Sequence, residues 1–297
     1  MTRIATPPVQ GEAIRLPDGR RLGYAQYGDP DGLPVFYFHG TPGSRLERPP
    51  DPAMKASSGM RLLVAERPGY GLSDFHPRRS LLDWPDDVTA LAEALELERF
   101  AVLGVSGGGP HAAACAYRIP ERLTGVALVS SLAPVRRPGG MAGLPLVMRL
   151  AFTVGRIVPG LLRPLIWCFS HPGRNPRSFV RQGARRLGPS DRAVLARPEV
   201  ESLLAQDFAE AARQGVRGYA QDVKLFSRPW GFPLEGIGVP VYLWHGGDDR
   251  LTPPHMGRYL AGTIPGAQAT FLEGEGHFLV LDHLEEIASS LVAASRP

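Results

Sequence analysis

An apolar run, FAVLGV (residues 100–105), stops at Ser106, and three glycines and an alanine-rich stretch follow it directly. Glycine is unfavourable inside regular structure, so such a cluster marks a backbone that turns tightly or approaches another group closely. The apolar run has the length of a buried strand, and PHAAACAYRIPERL has the composition of a helix that ends before Pro120. A buried strand, a tight turn and a helix, in that order, are typical of a parallel α/β layer.

Strands and helices alternate on both sides of this junction. Residues 12–39 contain two Asp-Gly turns and the apolar run VFYF, which predicts an antiparallel hairpin followed by a buried strand. Further strands are predicted at RLLVAE (61–66), LTGVALVSS (123–131), VPVYLWH (239–245) and QATFL (268–272), and helices at 83–98, 254–264 and 281–294. Because strands joined by helices need right-handed crossovers, the predicted fold class is α/β with a doubly wound, mostly parallel sheet.

The alternation stops between Ala133 and Pro233, where proline, glycine and arginine become frequent and no strand is predicted. We interpret this stretch as a helical insertion in one sheet. The sequence therefore predicts three segments: the first part of an α/β core (1–133), a helical cap (134–233) and the second part of the core (234–297).

Three arginines of the predicted cap, Arg149, Arg156 and Arg163, are spaced seven residues apart. In one continuous helix they would share a face. We interpret that face as solvated and the apolar residues as packed on the core; the alternative is a basic rim that attracts acidic substrates. Aromatic side chains that could line a pocket nearby are Phe152, Trp167, Phe169, Phe208 and Trp230.

Composition restricts the partners. The chain has 33 basic and 29 acidic residues, a net charge of +4 and no run of five or more Lys or Arg, which argues against a nucleic-acid surface. Residues 1–20 lack the apolar core of a signal peptide, and the arginines and prolines of the cap argue against a transmembrane helix. Cys115 and Cys168 have no CxxC spacing and are interpreted as reduced, packed thiols. We therefore expect a cytoplasmic protein that acts on a small molecule, with neither a nucleic acid nor a membrane as partner; the oligomeric state stays open.

The segment Gly104-Val105-Ser106-Gly107-Gly108 fits the pattern G-x-S-x-G, in which a strained turn between a strand and a helix displays a nucleophilic serine. Its glycines leave room for the turn. A phosphate-binding loop would need G-x-x-x-x-G-K-[ST], and a dinucleotide site would need G-x-G-x-x-G, and the segment has neither spacing. Ser106 is therefore a candidate nucleophile, and we expect no cofactor and no metal.

A serine hydroxyl is a weak nucleophile at neutral pH, so it needs a base, and the base needs a carboxylate that orients it. His277 lies in the glycine-flanked loop GEGH before the last helix, whereas His283 lies inside that helix. His111 lies directly behind the serine, where we interpret it as part of a pocket wall or as packing. Asp248 and Asp249 follow the strand VYLWH at the carboxyl edge of the sheet, where open α/β sheets build their sites, and either could be the acid.

Attack on a carbonyl develops negative charge on its oxygen, which preorganised N–H groups stabilise. The backbone N–H of Gly107, directly after the serine, is one candidate donor. The second is the N–H of Thr41 in the turn HGTPGS (39–44), which follows VFYF. These two groups would form an oxyanion hole; the alternative for HGTPGS is a plain turn from strand to helix.

Four of these segments resemble motifs of the α/β-hydrolase superfamily: HGTPGS resembles its HGxPG oxyanion segment, GVSGGG its nucleophile elbow, HGGDD its HGxxD acid turn and GEGHF its GxGH base loop. The order Ser106, Asp249, His277 is the triad order of that superfamily. Counting HGxxD from His245 selects Asp249 over Asp248. The resemblance covers most of the chain apart from the insertion, and it implies an eight-stranded α/β-hydrolase sheet with a lid before the acid strand.

Within the superfamily, the chain is similar to the capped HGxPG branch, which contains proline-iminopeptidase-like enzymes, esterases, lactonases and carbon-carbon bond hydrolases. Thr41 stands where the peptidases have glycine, and Gly107 where their elbow has tryptophan, which disfavours aminopeptidase activity. The resemblance implies a serine hydrolase that cleaves an ester, lactone or related acyl bond of a small, largely apolar substrate through an acyl-enzyme. The alternatives on the same fold are a non-hydrolytic enzyme for cyclisation or acyl transfer and a ligand-binding receptor-like protein.

Overall fold

Eight strands form one sheet. They are β1 (Glu12–Arg15), β2 (Arg21–Gly28), β3 (Leu33–Phe38), β4 (Met60–Ala65), β5 (Phe100–Val105), β6 (Leu123–Val129), β7 (Val241–Gly246) and β8 (Gln268–Leu272). Their order across the sheet is β1-β2-β4-β3-β5-β6-β7-β8. β2 pairs antiparallel with β1 and β4, and the other pairs are parallel, which confirms the predicted hairpin and the mostly parallel sheet.

The computed structural model describes residues 11–48 and 59–295. Its helices are α1 (Trp84–Ala94), α2 (Gly109–Arg118), α3 (Leu146–Ile157), α4 (Leu162–Phe169), α5 (Pro176–Ala184), α6 (Pro189–Leu195), α7 (Pro198–Ala211), α8 (Arg217–Phe226), α9 (His255–Thr263) and α10 (Val280–Ser295). Residues 1–10, for which no signal peptide is predicted, lie outside the described residues. Within the part of the chain that the structure describes, none of the helices has the length and apolar character that crossing a bilayer requires.

Both faces of the sheet are covered by helices. Because alternate residues of a strand point to opposite sides, each central strand contributes buried side chains to both faces. In β3, Phe36 and Phe38 belong to one apolar cluster, whereas Val35 and Tyr37 belong to another. Helices α1, α2 and α9 contribute to the first cluster and α10 to the second. Full burial of each such side chain stabilises the fold by about 1.5–3 kcal/mol.

The chain between β6 and β7 forms the six helices α3–α8, and residues 134–233 contain no strand. In this insertion α3 and α4 both pack against α8, and α5 packs against α7. The division of the chain into two core segments and a cap stays a prediction.

Two details of the insertion differ from the sequence analysis. Arg149 and Arg156 lie on α3, but Arg163 lies on α4, because α3 ends at Ile157 and a short 3-10 turn starts at Pro159. Proline lacks the N–H that a helix interior needs and collides with the preceding turn. The predicted common face of three arginines in one helix is therefore wrong.

The second difference concerns the cysteines. Cys115 is buried, as predicted, whereas Cys168 is exposed. Helix α4 buries Leu162 and Ile166, which lie one turn apart. Cys168 comes two positions after Ile166 and therefore points to nearly the opposite side of the helix. The prediction of two packed thiols is therefore wrong for Cys168.

Candidate active site

The turn between β5 and α2 holds Ser106 in a strained conformation. Its φ is +55°, in the left-handed region that costs a residue with a side chain about 1–2 kcal/mol. A Cβ on Gly104 would come within 2.5 Å of the carbonyl oxygen of Gly108, and a Cβ on Gly108 would overlap the carbonyl oxygen of Phe38. The turn therefore requires these glycines, and it displays the half-buried serine at the carboxyl end of β5.

The loops after β7 and β8 bring Asp249 and His277 together. His277 Nδ1 lies 2.8 Å from Asp249 Oδ2, and the other oxygen, Oδ1, accepts the backbone N–H groups of Leu251 at 2.8 Å and Thr252 at 2.9 Å. Both carboxylate oxygens are therefore bonded, which fixes the side chain. Asp249 is 3% exposed and contacts the histidine, whereas Asp248 is exposed.

Charges around this pair set its protonation. Burial alone would raise the pKa of Asp249, but the adjacent His277 outweighs burial and holds this pKa below its usual value. Burial alone would lower the pKa of His277, but the carboxylates of Asp249, Asp191 and Glu47 outweigh it and raise this pKa above 6.5. Asp249 therefore stays ionised, and the imidazole is a stronger base than a free histidine.

The segment that follows β6 contacts both the serine turn and the residues around the histidine. The backbone N–H of Leu132 donates to the carbonyl oxygen of Ser106 at 3.2 Å. The hydroxyl of Thr252 lies 2.8 Å from the carbonyl oxygen of Ser130 and 3.1 Å from Nδ1 of His277. The three predicted catalytic residues thus lie at one edge of the sheet, at the carboxyl ends of β5, β7 and β8.

Thr41 and Gly107, the predicted oxyanion donors, lie side by side. A Cβ on Gly107 would come within 2.8 Å of the Thr41 Cβ. Gly107 is the second residue of a short 3-10 helix that begins at Ser106, so no carbonyl of that helix accepts its N–H. Arg67 Nη2 fixes the other segment by donating to Thr41 Oγ1 and to the Gly40 carbonyl oxygen, both at 2.8 Å. The placement suits an oxyanion hole, a role that stays a prediction.

Three helices of the insertion each place a buried aspartate against these loops, and none of the three is predicted as a site residue from the sequence. They are Asp191 on α6, Asp207 on α7 and Asp222 on α8, which are 1%, 0% and 0% exposed. A buried carboxylate is costly unless hydrogen bonds or cations compensate it. Each of these side chains therefore constrains the loop that it contacts.

Asp191 holds the loop that carries the histidine. Its Oδ1 accepts the backbone N–H of Phe278 at 3.0 Å. Burial raises the pKa of Asp191, and the nearby His277 opposes that rise. The charge of Asp191 in turn raises the pKa of His277. A helix of the insertion therefore both positions the histidine loop and influences its proton affinity.

Asp207 and Glu47 hold the segment that follows β3. Asp207 Oδ1 accepts the backbone N–H of Ser44 at 2.8 Å and its hydroxyl at 2.6 Å. Glu47 accepts the hydroxyl of Tyr37 at 2.9 Å and the backbone N–H of Gly40 at 2.8 Å. Burial raises the pKa of both acids, and the negative charge of Glu47 raises that of Asp207 further, well above its usual value. We infer that the pair retains a proton well above the usual range for carboxyl groups.

Asp222 compensates two buried arginines. Arg67 Nε donates to Asp222 Oδ2 at 2.9 Å, and Arg79 donates to Oδ1. The hydroxyl of Tyr70 donates to Oδ2 at 3.0 Å, and that of Thr41 lies 3.3 Å away. Burial would raise the pKa of Asp222, but the two arginines outweigh it and hold this pKa far below its usual value. The aspartate thus fixes Arg67, which in turn contacts Thr41.

A signal in the sequence could have identified two of these residues. Asp207 lies between Leu203 and Ala211 at intervals of four, and Asp222 lies between Gly218 and Phe226 at the same interval. All members of both sets are buried. An acid at a core-facing position of an amphipathic helix indicates a buried polar contact, although it does not identify the partner.

His111 packs in the core, which is the second of its two predicted roles. Its ring lies against Trp84 and Phe226, with centroid distances of 6.0 and 5.8 Å. Burial and the neighbouring Arg67 lower its pKa well below the usual value, although the charge of Asp222 opposes them. His111 is therefore neutral.

The aromatic candidates for a pocket lining are dispersed. Phe152 lines one surface cleft and Trp230 lines another, and Ser106 is not part of either cleft. Phe208 packs against Phe179 with a centroid distance of 5.1 Å. Trp167 and Phe169 are 47% and 82% exposed. These five side chains therefore do not form one wall around the serine.

Residues 34–284 match the sequence model of a family described as the alpha/beta hydrolase fold. The chain is similar to a non-heme chloroperoxidase of Streptomyces lividans, with 29% identity over 286 residues that cover 94% of this chain and 98% of the relative. It is also similar to a 2-hydroxymuconate semialdehyde hydrolase of Pseudomonas putida, with 26% identity over 266 residues that cover 87% and 85% of the two chains. An esterase of Exiguobacterium antarcticum has a similar structure, with a TM-score of 0.71, 20% identity and coverage of 97% and 100%.

Proposed function

The chain belongs to the alpha/beta-hydrolase fold family, and from that premise we propose that it is a serine hydrolase with Ser106, His277 and Asp249 as its catalytic triad. The observation that carries the proposal is the 2.8 Å contact between His277 Nδ1 and the buried Asp249, at the sheet edge where the strained Ser106 lies. A carboxylate at Nδ1 favours the tautomer with its proton on that nitrogen, which leaves Nε2 to act as the base.

In the proposed reaction, the Ser106 oxygen attacks the acyl carbonyl carbon while its proton moves to His277 Nε2. Asp249 stabilises the imidazolium that forms. The carbonyl oxygen becomes negative and accepts the N–H groups of Gly107 and Thr41. When the tetrahedral intermediate collapses, the bond to the leaving group breaks, and His277 returns the proton to that group. An acyl-enzyme on Ser106 remains.

Water completes the cycle. His277 takes a proton from the water as its oxygen attacks the acyl carbon, the bond to Ser106 breaks, and the serine oxygen recovers the proton. The products are a carboxylic acid and an alcohol, or a single hydroxy acid when the substrate is a lactone. We propose an ester, lactone or related acyl bond of a small, largely apolar substrate. The aromatic ring of Phe226 lies beside Gly107, since a Cβ placed on Gly107 would be 3.2 Å from Cε2 of that ring. This apolar contact surface next to the serine supports an apolar substrate.

The test is turnover of p-nitrophenyl esters with acyl chains of increasing length, together with lactones that differ in ring size. Release of one acid for each alcohol, and a fluorophosphonate adduct whose peptide contains Ser106, support the proposal. Ligand-dependent thermal stabilisation without any product would favour a receptor-like protein. A product that has not gained water would favour cyclisation or acyl transfer. Either of the last two outcomes contradicts the hydrolytic proposal.

The raised pKa of His277 predicts how kcat/KM depends on pH. The kcat/KM for a neutral ester is expected to fall as the pH drops, with a midpoint above 6.5, because protonated His277 cannot act as a base. Asp191→Asn removes a negative charge that raises this pKa, while the amide oxygen can still accept the N–H of Phe278. The midpoint is therefore expected to move to lower pH, measured from pH–rate profiles.

The control for this shift is Asp282→Asn, which removes a carboxylate from a partly exposed ion pair with Arg197. Solvent screens that charge, so its midpoint should equal that of the unmodified protein. An Asp191→Asn midpoint that stays in place or rises would show that the Asp191 charge does not act on the base.

A further inference from the structure

The outer side of the insertion exposes large apolar side chains. Within the described residues, every exposed large hydrophobic side chain lies between positions 146 and 169. We call this set the apolar face; its members are Leu146, Val147, Leu150, Ile157, Val158, Leu161, Leu165, Trp167 and Phe169. Exposed apolar residues that are concentrated in one segment mark a surface that contacts something other than water.

The apolar face belongs to the outer layer of the insertion. α3 and α4 contact each other, and both pack on α8 through buried residues such as Phe152 and Ile166. At about 100° per residue, Leu146, Leu150 and Ile157 lie within about 40° of one another around α3. Helix α3 therefore has one apolar side packed on the protein and a second apolar side in solvent.

Arginines border this face, and the stretch of sequence that contains it has no acidic residue. Residues 122–190 contain eleven arginines and no Asp or Glu. On α3, Arg149 and Arg156 lie about 60–80° round the helix from Leu146, and both are exposed. With Arg136 and Arg137 they line a cleft of about 380 Å³. Within the described residues, none of these four arginines forms an ion pair.

We propose that the apolar face and its arginines dock this protein on the surface of an anionic phospholipid bilayer, with α3 and α4 lying in the interface. The apolar side chains enter the boundary between headgroups and acyl chains, and the arginines bind headgroup phosphates. Short helices that expose leucine, isoleucine and aromatic side chains and carry arginine nearby are typical of this mode of binding. The proposal rests on the exposed surface and is independent of the proposed hydrolase function.

A second copy of the chain fits this surface less well. A symmetric dimer brings the same patch of both subunits together. The arginines of α3 and α4 would then face their own copies, and residues 122–190 supply no carboxylate to compensate them. An anionic bilayer supplies the opposite charge over the whole face.

The proposal differs from the expectation that no membrane is a partner. That expectation rested on the arginines and prolines that argue against a helix crossing a bilayer. The same residues are compatible with a short helix that lies on one, because arginines at its border remain in the headgroup layer.

The test is flotation of the purified full chain with vesicles of phosphatidylcholine alone and of phosphatidylcholine with phosphatidylglycerol. Binding is expected only to the anionic vesicles and is expected to weaken as salt increases. Trp167 is 47% exposed, whereas Trp84 and Trp230 are 2% and 5% exposed and Trp244 is half-buried within β7. Binding should therefore shift tryptophan emission to shorter wavelength, and Trp167→Phe should remove most of that shift without preventing binding.

Two variants test the two kinds of contact. Arg156→Gln is expected to weaken vesicle binding about fivefold, the effect of one arginine near an anionic surface. Arg118→Gln removes the same charge from the exposed side of α2 and should bind as the unmodified protein does. Ile157→Glu replaces a side chain that is 62% exposed, so the fold tolerates it, and vesicle binding should fall more than tenfold.

Three outcomes would overturn the proposal. They are absence of binding to anionic vesicles, equal binding to both vesicle types, and binding that Ile157→Glu leaves intact. A dimer in solution that Ile157→Glu converts to a monomer, without vesicle binding by the unmodified chain, would instead assign the face to a second copy.

Discussion

Ser106→Ala is expected to lower kcat for acyl esters by a factor on the order of 10⁴ to 10⁶ and to abolish fluorophosphonate labelling. The hydroxyl is the proposed attacking group, and the flanking residues of the turn, Val105 and Gly107, carry no nucleophile. Alanine retains the Cβ, which causes the steric strain at a φ of +55°, so the turn is no more strained with alanine than with serine. Thermal unfolding of the variant should therefore match that of the unmodified protein.

Ser289→Ala is the matched control, because Ser289 lies exposed on α10 and its hydroxyl only donates to the Glu285 carbonyl oxygen. This variant should keep full turnover and full labelling. Residual turnover above about one part in a thousand in folded Ser106→Ala, or a fluorophosphonate adduct on it, would remove Ser106 from the proposed triad.

Asp222→Asn is expected to destabilise the protein by about 3–5 kcal/mol, because it leaves two buried arginines without their counter-charge. Arg67 and Asp222 have fully buried side chains, and Arg79 is 2% exposed. The amide keeps the size of the carboxylate, so the loss of charge, not a cavity, causes the effect. Urea unfolding followed by circular dichroism measures the free energy of unfolding.

Asp74→Asn provides the comparison, because Asp74 and its partner Arg21 are 37% and 56% exposed. An exposed pair contributes about 0–1 kcal/mol, so this variant should unfold almost as the unmodified protein does. If Asp222→Asn also lost less than about 1 kcal/mol, the two arginines would not depend on Asp222 for compensation.

Loss of Asp222 has a further expected consequence at the site. Arg67 is held by Asp222 and itself donates to Thr41 and Gly40. A misplaced Arg67 would displace the segment that holds the proposed oxyanion donor, so the folded fraction of the variant should have a lower kcat. Normal kcat in that fraction would show that Asp222 acts on stability alone.

Much of the core could be predicted from local pattern. The strand FAVLGV matches β5 residue for residue, since a short apolar run before a glycine turn has few other structures available. The helix predicted over residues 83–98 ends earlier, at Ala94, and Glu96 has a φ of +57°. The end of a helix depends on how the chain enters the next strand, which the helical pattern does not specify.

The sequence by itself determined the order and type of the core elements and named Asp249 and His277, which the structure brings into contact. Hydrophobic periodicity and glycine turns are local signals that extend over a few residues, so the sequence alone reveals them. Only the tertiary structure decided which side chains of the insertion reach the site and which face solvent. Asp191, Asp207 and Asp222 contact loops that are distant in sequence, and an apolar residue in an amphipathic helix has the same local pattern whether it packs inward or outward. Long-range packing settles both, because burial depends on the neighbours that the fold supplies.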